Sequence, residues 1–243
     1  MTYCLALRLD EGLVFLTDTR TNAGLDDVST FRKLHVLRPS DDRLFVLEAA
    51  GSLATTHEVL DRIERDLAVP GDHESLATVS HLFEAALYVG RLNKEVAAAH
   101  SETLGSDATA TFILGGQILG GRPDLVLVYP EGNYIRVSDE RPFLQIGESK
   151  YGKFMLELAV EAHVELEAAA KIALTSMLMT TRANLSVGPP FDLAVYRNGS
   201  LELDEARIEE DSPFLPALDA VWTKHLFAAM DDLPAVPLGV LED

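Results

Sequence analysis

The sequence predicts an α+β fold in which antiparallel sheets are covered by helices. Patterns typical of strands and helices come in blocks: strands, two helices, strands, two helices and a closing hairpin. Within each block the predicted strands are joined by short turns, as in hairpins. Such blocks predict antiparallel sheets with the helices segregated outside them. The chain has 243 residues and no recognisable linker, so it is predicted to form one domain over residues 1–243.

The first block contains two hairpins separated by a polar loop. Apolar and polar residues alternate after the N-terminus, which is the period of a strand. Turn-forming residues at 10–12 and 39–42 predict the two chain reversals. The predicted strands are 2–9, 12–18, 34–37 and 44–50, and the loop is 19–30.

Two amphipathic helices follow, because apolar residues recur at helical spacing. The first runs from Leu53 to Leu67 and is ended by Pro70-Gly71. The second is predicted to start after Ser75 and to reach the alanines at 97–99. Each has one apolar face, which predicts that each covers a sheet.

The middle of the chain returns to strands. Gly115-Gly116 and Gly120-Gly121 are interpreted as turns, because no Gly-Lys-Ser/Thr of a phosphate loop follows them. The predicted strands are 108–114, 125–129, 134–137 and 143–146.

The last third is predicted to contain two helices, a hairpin and a final helix. Asn198-Gly199 is the strongest hairpin signal in the chain. The predicted helices are 151–163, 166–182 and 213–230, the last of them buried through Leu215, Leu218, Trp222 and Leu226.

Composition excludes several classes of function. The net charge of −19 argues against nucleic acid and anionic membrane surfaces as partners. Cys4 is the single cysteine, which excludes an intramolecular disulfide and fits a reducing compartment. No signal peptide or membrane span is recognisable, so a cytoplasmic location is predicted. The seven histidines show no metal-binding spacing, and neither a metal nor a cofactor is predicted.

Thr2 is the candidate nucleophile. Removal of Met1 would leave Thr2 with a hydroxyl and a free α-amine, and such an amine has an ordinary pKa of about 7.7–8.0. The amine can therefore act as a base at neutral pH. Lys33 precedes an apolar strand, and a buried lysine there is best explained by pairing with Asp18.

Six segments together resemble a known family. They are Thr2–Ala6, Gly12–Phe15, Asp18–Gly24, Phe31–Lys33, Ile146–Gly152 and Arg182–Pro190. The set resembles the N-terminal-nucleophile hydrolases, within them the proteasome β-subunits, and most closely the bacterial ancestral β-subunit family, Anbu. The resemblance implies a four-layer αββα sandwich of two packed antiparallel sheets flanked by helices. The final helix and tail, about 213–243, lie beyond the general proteasome pattern and are predicted to form a helical extension.

The resemblance also implies a role for each residue of the site. Thr2 Oγ would attack an amide carbonyl while the Thr2 amine takes up the hydroxyl proton. Lys33, held by Asp18, would lower the pKa of the Thr2 hydroxyl and discourage protonation of the Thr2 amine. The main-chain N–H of Gly51 would stabilise the oxyanion, and its missing Cβ would leave room for the acyl group. Ser149 would bond to the Thr2 amine.

Two positions depart from the pattern of active proteasome subunits. Asn184 stands where those subunits carry Asp, and it offers hydrogen bonds without a charge. Tyr3 follows the nucleophile where many relatives have a small residue. Thr21, Ala49 and Leu53 are the predicted substrate-binding positions.

Three functions remain open. The first is a threonine peptidase that cuts peptides or unfolded proteins within a homo-oligomer, either a ring or an open helical assembly. The second is a catalytically silent assembly subunit. The third is a small-molecule amidase on the same fold. The sequence does not identify an unfoldase partner.

Overall fold

The computed structural model describes residues 2–22, 28–69, 71 and 73–237. The chain divides into two compact units, Met1–Glu209 and Glu210–Asp243. The strands of the first unit, in chain order, are β1 (Tyr3–Leu9), β2 (Gly12–Asp18), β3 (Arg20–Asn22), β4 (Val28–Thr30), β5 (Leu34–Ser40), β6 (Arg43–Gly51), β7 (Ala110–Ile118), β8 (Asp124–Val128), β9 (Tyr134–Arg136), β10 (Phe143–Gly147), β11 (Phe191–Arg197) and β12 (Leu203–Ile208). Its helices are α1 (Leu53–Ala68), α2 (Leu82–Leu104), α3 (Lys150–Ala159) and α4 (Leu166–Ala183), and a 3₁₀ turn spans Gly105–Ala108.

Two five-stranded antiparallel sheets form the centre of this unit. The first sheet has the order β10-β1-β2-β11-β12 and the second β5-β6-β7-β8-β9, while β3 and β4 form a small separate hairpin. In the first sheet β1 lies between β2 and β10, so the N-terminal strand is paired on both sides.

The two sheets pack face to face, and helices cover their outer faces. Phe15 of the first sheet and Val46 and Ile113 of the second lie in the core between the sheets. On the outer face of the second sheet, Phe45 packs with Val89 and other residues of α1 and α2. Helix α4 contacts β1, β2 and β11, and α3 packs on α4. The predicted α+β fold, a four-layer αββα sandwich, is confirmed.

Two predictions in the strand blocks were wrong. The loop 19–30 contains the strands β3 and β4, although residues 23–27 lie outside the described part. Gly115-Gly116 does not turn but lies within β7. A Cβ on Gly115 would come within 2.4 Å of Leu125 and 2.6 Å of Phe15, so glycine is needed there for the sheets to pack. Gly120-Gly121 does lie at the reversal between β7 and β8.

The helix boundaries also differ. Helix α2 begins at Leu82 instead of near Ser75, because Glu84 accepts hydrogen bonds from the N–H groups of Ser80 and His81 at 2.7 and 3.1 Å. This closes the N-terminus of the helix. Helix α3 ends at Ala159, four residues before the predicted end at His163.

The second unit consists mainly of helix α5 (Phe214–Asp231). The prediction that α5 is buried through four side chains was wrong. Only Leu215 is buried, Leu218 and Trp222 are half-buried, and Leu226 is exposed. Over the described residues, no helix combines the length and the apolar character needed to cross a membrane.

Candidate active site

The antiparallel pairing of β1 with β2 and β10 brings the ends of those two strands close to Thr2. Tyr3 pairs with Gly147 at the end of β10, and Cys4 pairs with Thr17 at the end of β2. The N–H of Glu148 donates to the Thr2 carbonyl oxygen at 2.7 Å. A Cβ on Gly147 would lie 2.0 Å from that oxygen, and Gly147 has φ +80°, so the close approach requires glycine.

Asp18 and Lys33 form a buried pair beside Thr2. Lys33 Nζ donates to Asp18 Oδ1 at 2.7 Å, and the N–H of Tyr3 donates to the same oxygen at 2.9 Å. Lys33 Nζ also donates to the Arg20 carbonyl oxygen at 2.7 Å, and the Gly188 N–H donates to Asp18 Oδ2 at 3.4 Å. The ammonium group is thereby fixed close to the main chain of the residue that follows Thr2.

Two effects act on the Asp18 carboxyl in opposite directions. Asp18 is fully buried, and this burial raises its pKa above the ordinary value. The Lys33 ammonium and the N–H groups of Tyr3 and Gly188 oppose the rise, because they stabilise the carboxylate. An ion pair withdrawn from water in this way is held by its geometry and its additional hydrogen bonds.

Asn184 contacts a second carboxylate near Thr2. It is the residue that ends α4, and its Nδ2 donates to Glu148 Oε2 at 3.0 Å. Its Oδ1 accepts a hydrogen bond from the Ser186 N–H at 3.0 Å, which fixes the orientation of the amide. Ser149 is half-buried at the start of α3, and its side chain makes no hydrogen bond with the residues described. Its bond to the Thr2 amine stays a prediction.

Gly51 lies at the end of β6, directly before α1. Its φ is +111°, and a Cβ would lie 2.4 Å from the Thr109 carbonyl oxygen. The close approach of Thr109 is a sufficient reason for glycine here, and the predicted space for an acyl group stays a prediction. Ser52 caps the following helix, since its Oγ accepts from the Thr55 N–H at 3.3 Å. The role of Gly51 as an oxyanion donor stays a prediction.

The three predicted substrate positions have different surroundings. Thr21 is half-buried in the small hairpin, and Leu53 is half-buried at the first position of α1. Ala49 is buried in the core between the second sheet and its helices. Their substrate role stays a prediction.

Solved structures give the family. No family model matches the chain, and no curated protein matches it. The chain is 39% identical to Anbu (ancestral beta-subunit) from Yersinia bercovieri, with a TM-score of 0.92 over 98% of this chain and 100% of that one. The chain belongs to the Anbu family.

Anbu from Hyphomicrobium sp. strain MC1 is 40% identical to this chain, with a TM-score of 0.89 over 98% of this chain and 100% of that one. The Pseudomonas aeruginosa relative, described as a helical assembly of the Anbu complex, is 40% identical, with a TM-score of 0.91 and coverage of 97% and 98%.

Membership of the Anbu family identifies the fold as that of the proteasome-like N-terminal-nucleophile hydrolases. Within this fold, Tyr3 links β1 to neighbouring elements. Its hydroxyl contacts Ser176 Oγ at 2.8 Å and Gln145 Nε2 at 2.5 Å. Burial raises the pKa of Tyr3 to about 12. A Cβ on Gly152 would lie 2.5 Å from the hydroxyl, so this glycine lets α3 approach. Tyr3 therefore ties β1 to β10 and to the helical layer.

Sequence reasoning missed several residues of this Anbu site. Glu148 had a signal, since it stands between Gly147 and Ser149 at the end of a strand. The main-chain groups of Arg20 and Gly188 had none, because any residue supplies a carbonyl or an N–H. Their contacts depend on how the loops after β2 and α4 fold.

Glu48 is a further buried acid that the sequence analysis did not single out. It shares the inner face of β6 with Val46 and Ala50, between the sheets. Neither carboxyl oxygen has a hydrogen-bond partner among the described residues. Burial raises its pKa well above the ordinary value, and the Leu16 main chain opposes this only in part. Folding therefore shifts the Glu48 carboxyl toward its protonated form.

A cavity of about 930 Å³ lies at the opposite end of the sheets from Thr2. Arg8, Arg136 and Asp124 line it, and the two arginines form ion pairs with Asp124 at 3.0 and 3.1 Å. None of the predicted site residues is among the described residues that line it. Across the part of the chain that the structure describes, no group of three or more His, Cys, Asp or Glu could hold a metal ion.

Proposed function

We propose that this Anbu-family chain is a threonine peptidase subunit that hydrolyses peptide bonds through Thr2 after removal of Met1. The observation that carries the proposal is the shared oxygen of Asp18, which accepts from Lys33 Nζ at 2.7 Å and from the Tyr3 N–H at 2.9 Å. A buried ammonium is thereby held close to a residue that becomes N-terminal when one peptide bond is cut. This arrangement suits nucleophilic catalysis by a hydroxyl group.

In the proposed reaction the Thr2 α-amine takes the proton from Oγ as Oγ bonds to the carbonyl carbon of the substrate. The electron pair of the carbonyl moves to its oxygen, where the Gly51 N–H would donate to it. The amine then gives the proton to the leaving nitrogen as the C–N bond breaks, leaving an ester on Thr2. Water hydrolyses this ester by the same route. Lys33 stabilises the negative charge that develops on Oγ.

We propose that the substrate is a peptide or an unfolded protein bound near Thr21, Ala49 and Leu53. Ser149, half-buried next to Glu148, would bond to the α-amine once Met1 is removed. We further propose that the protein works in the cytoplasm, since a single cysteine suits a reducing compartment.

The subunit is proposed to assemble into a homo-oligomer. The relative from Pseudomonas aeruginosa is described as a helical assembly, which favours an open helical form over a closed ring. Helix α5 supports association, because its apolar side chains Val221, Phe227 and Met230 are more than half exposed. Apolar surface of this kind commonly marks a protein interface.

A β-lactone probe tests the catalytic proposal. Intact mass first establishes that Met1 has been removed, and the probe is then added to the wild type and to two variants. Thr2→Ala should lose the ester adduct, whereas Thr2→Ser should keep it, since serine retains the hydroxyl group. Processed wild-type protein that stays unlabelled at Thr2 would contradict the proposal.

A catalytically silent assembly subunit is the second candidate. It is favoured by Ser149, whose side chain has no hydrogen-bond partner within the described residues. In that case processed protein would assemble, as seen by size-exclusion chromatography with light scattering, without reacting with the probe. Labelling of Thr2 would exclude this candidate.

A further inference from the structure

Glu148 is a buried carboxylate without a counter-charge. The residue is only 9% exposed, and its Oε2 accepts a hydrogen bond from the neutral amide of Asn184 at 3.0 Å. It has no ion pair with any residue that the structure describes. Buried carboxylates are normally paired with a cation, because the loss of hydration is otherwise uncompensated. Among the described residues, therefore, no cation lies within ion-pair distance of the Glu148 carboxylate.

Glu148 lies next to the place where a positive group would form on removal of Met1. Its own N–H donates to the Thr2 carbonyl oxygen at 2.7 Å, so its main chain contacts that of the proposed nucleophile. Its carboxylate is held by the Asn184 amide. The orientation of that amide is fixed, because the Ser186 N–H donates to Asn184 Oδ1 at 3.0 Å. Removal of Met1 would create an α-ammonium group on Thr2.

The other charges near Thr2 are already matched. Lys33 donates to Asp18 at 2.7 Å, so the Asp18 carboxylate balances the lysine rather than the α-amine. Asp18 ends β2, Lys33 directly precedes β5 and Glu148 directly follows β10, so the three residues come from different elements that meet near Thr2. A cation on Thr2 would thus complete the set, with two cations and two anions.

We infer that Glu148, positioned by Asn184, is the acid that stabilises the protonated α-amine of Thr2. The inference rests on the proposed function, since it needs Thr2 to be N-terminal. The negative charge that Asn184 does not carry is supplied by its hydrogen-bond partner. During the reaction the amine gains the proton of Thr2 Oγ, and the resulting ammonium lies beside the Glu148 carboxylate until the proton passes to the leaving nitrogen.

The sign of the effect is fixed by the charges. The Glu148 carboxylate favours the ammonium form and raises the pKa of the α-amine, whereas the Lys33 ammonium lowers it. Together they set the strength of the base. Loss of Glu148 should leave an amine that is a weaker base and that accepts the proton of Thr2 Oγ less readily.

The test measures the α-amine directly. Protein that begins at Thr2 is prepared by cleavage of a removable N-terminal fusion, which makes the test independent of Met1 removal in the cell. The reaction of the amine with phenyl isothiocyanate is followed against pH, and the N-terminal peptide is quantified by mass spectrometry. In Glu148→Gln the midpoint should move to lower pH. At a pH at which the amine is deprotonated in both proteins, the rate of Thr2 labelling by the β-lactone should fall in Glu148→Gln, by up to about tenfold for a shift of one pKa unit.

Two further variants separate charge from structure. In the double variant Glu148→Gln/Asn184→Asp the carboxylate moves to the other end of the same hydrogen bond, so the midpoint should return toward that of the wild type. Asn184→Asp alone adds a second negative charge, and its midpoint should move to higher pH. This last variant still tests the inference if Glu148→Gln does not fold. The control is Glu161→Gln, which alters an exposed acid beyond α3 and should change nothing.

The possible outcomes distinguish the inference from the proposed function. A lowered midpoint in Glu148→Gln without any β-lactone labelling of the wild type would support the Glu148–amine pair and overturn the peptidase. Labelling of the wild type with the same midpoint in all variants would overturn the role of Glu148 and leave the peptidase standing.

Discussion

The ammonium nitrogen of Lys33 lies 2.7 Å from Oδ1 of Asp18, and both side chains are almost completely buried. Buried lysines are rare, and the pair is joined by main-chain groups of Tyr3, Arg20 and Gly188. The arrangement holds a positive charge next to the start of β1. It is the observation that supports the proposal of nucleophilic chemistry at Thr2.

Removal of one member of this pair should harm both stability and labelling. Lys33→Met leaves the Asp18 carboxylate buried without its cation, and we expect a loss of about 3–5 kcal/mol in the free energy of unfolding. The double variant Lys33→Met/Asp18→Asn should regain much of this stability but remain unreactive with the β-lactone. Thermal unfolding and the labelling rate measure the two effects.

Lys94→Met is the control for this prediction, because Lys94 is exposed on α2. Recovery of labelling in the double variant would show that the pair is structural only. Equal stability of Lys33→Met and the wild type would contradict the buried ion pair.

Gly51→Ala should destabilise the fold through a steric clash. The new Cβ would lie 2.4 Å from the Thr109 carbonyl oxygen, at a φ of +111°. Gly120→Ala is the matched control, since Gly120 has φ +90° with nothing within 4 Å of its Cβ position. Backbone strain of this kind costs about 1–3 kcal/mol, and Gly51→Ala should exceed its control because the clash adds to it. Similar Tm values for the two variants would refute the contact with Thr109.

The stability of the fold should fall with rising pH because of Glu48. Its pKa is raised by burial, so the folded chain retains a proton that the unfolded chain loses above about pH 4.3. Unfolding then releases a proton, and the free energy of unfolding falls by up to about 1.4 kcal/mol per pH unit until the raised pKa is passed.

Glu48→Gln has no proton to lose and should have a flatter profile of Tm between pH 5 and 8. The comparison uses slopes rather than absolute Tm values, because the buried amide has its own cost. The exposed Glu131→Gln should keep the wild-type slope. Parallel profiles for Glu48→Gln and the wild type would show that Glu48 is ionised in the fold.

Tyr3→Phe should weaken the attachment of β1 to its surroundings. The change removes the hydroxyl that contacts Ser176 and Gln145, leaving the half-buried amide of Gln145 without this partner. We expect a loss of about 1–2 kcal/mol, measured by denaturant unfolding. Tyr151→Phe, at an exposed position, should have little effect. If both variants unfold at the same denaturant concentration, the hydroxyl contacts do not contribute.

Local patterns predicted much of the fold. The alternation over 2–9 and the turn at 10–12 correspond to β1 and β2, and Asn198-Gly199 does join β11 to β12. These features are set by neighbouring residues, which a sequence shows directly. Gly115-Gly116 was misinterpreted because the need for glycine there arises from Phe15 and Leu125, which approach from other strands.

The site could be predicted only in part for the same reason. The resemblance to a family placed Asp18 with Lys33, and the structure brings them together at 2.7 Å. The bond between Asn184 and Glu148 joins residues 36 positions apart and depends on where α4 ends. No local pattern reveals such a contact.

Covalent capture by a peptide epoxyketone tests the central claim, that Thr2 acts with both its hydroxyl and its α-amine. The reagent has two electrophilic carbons and can bind both groups in one ring. Protein that begins at Thr2 is incubated with it, and the N-terminal peptide is analysed by mass spectrometry. The account predicts a single adduct on Thr2 that also blocks the amine and is absent from Thr2→Ala. An unmodified Thr2 with a free amine, in folded and assembled protein, would contradict it.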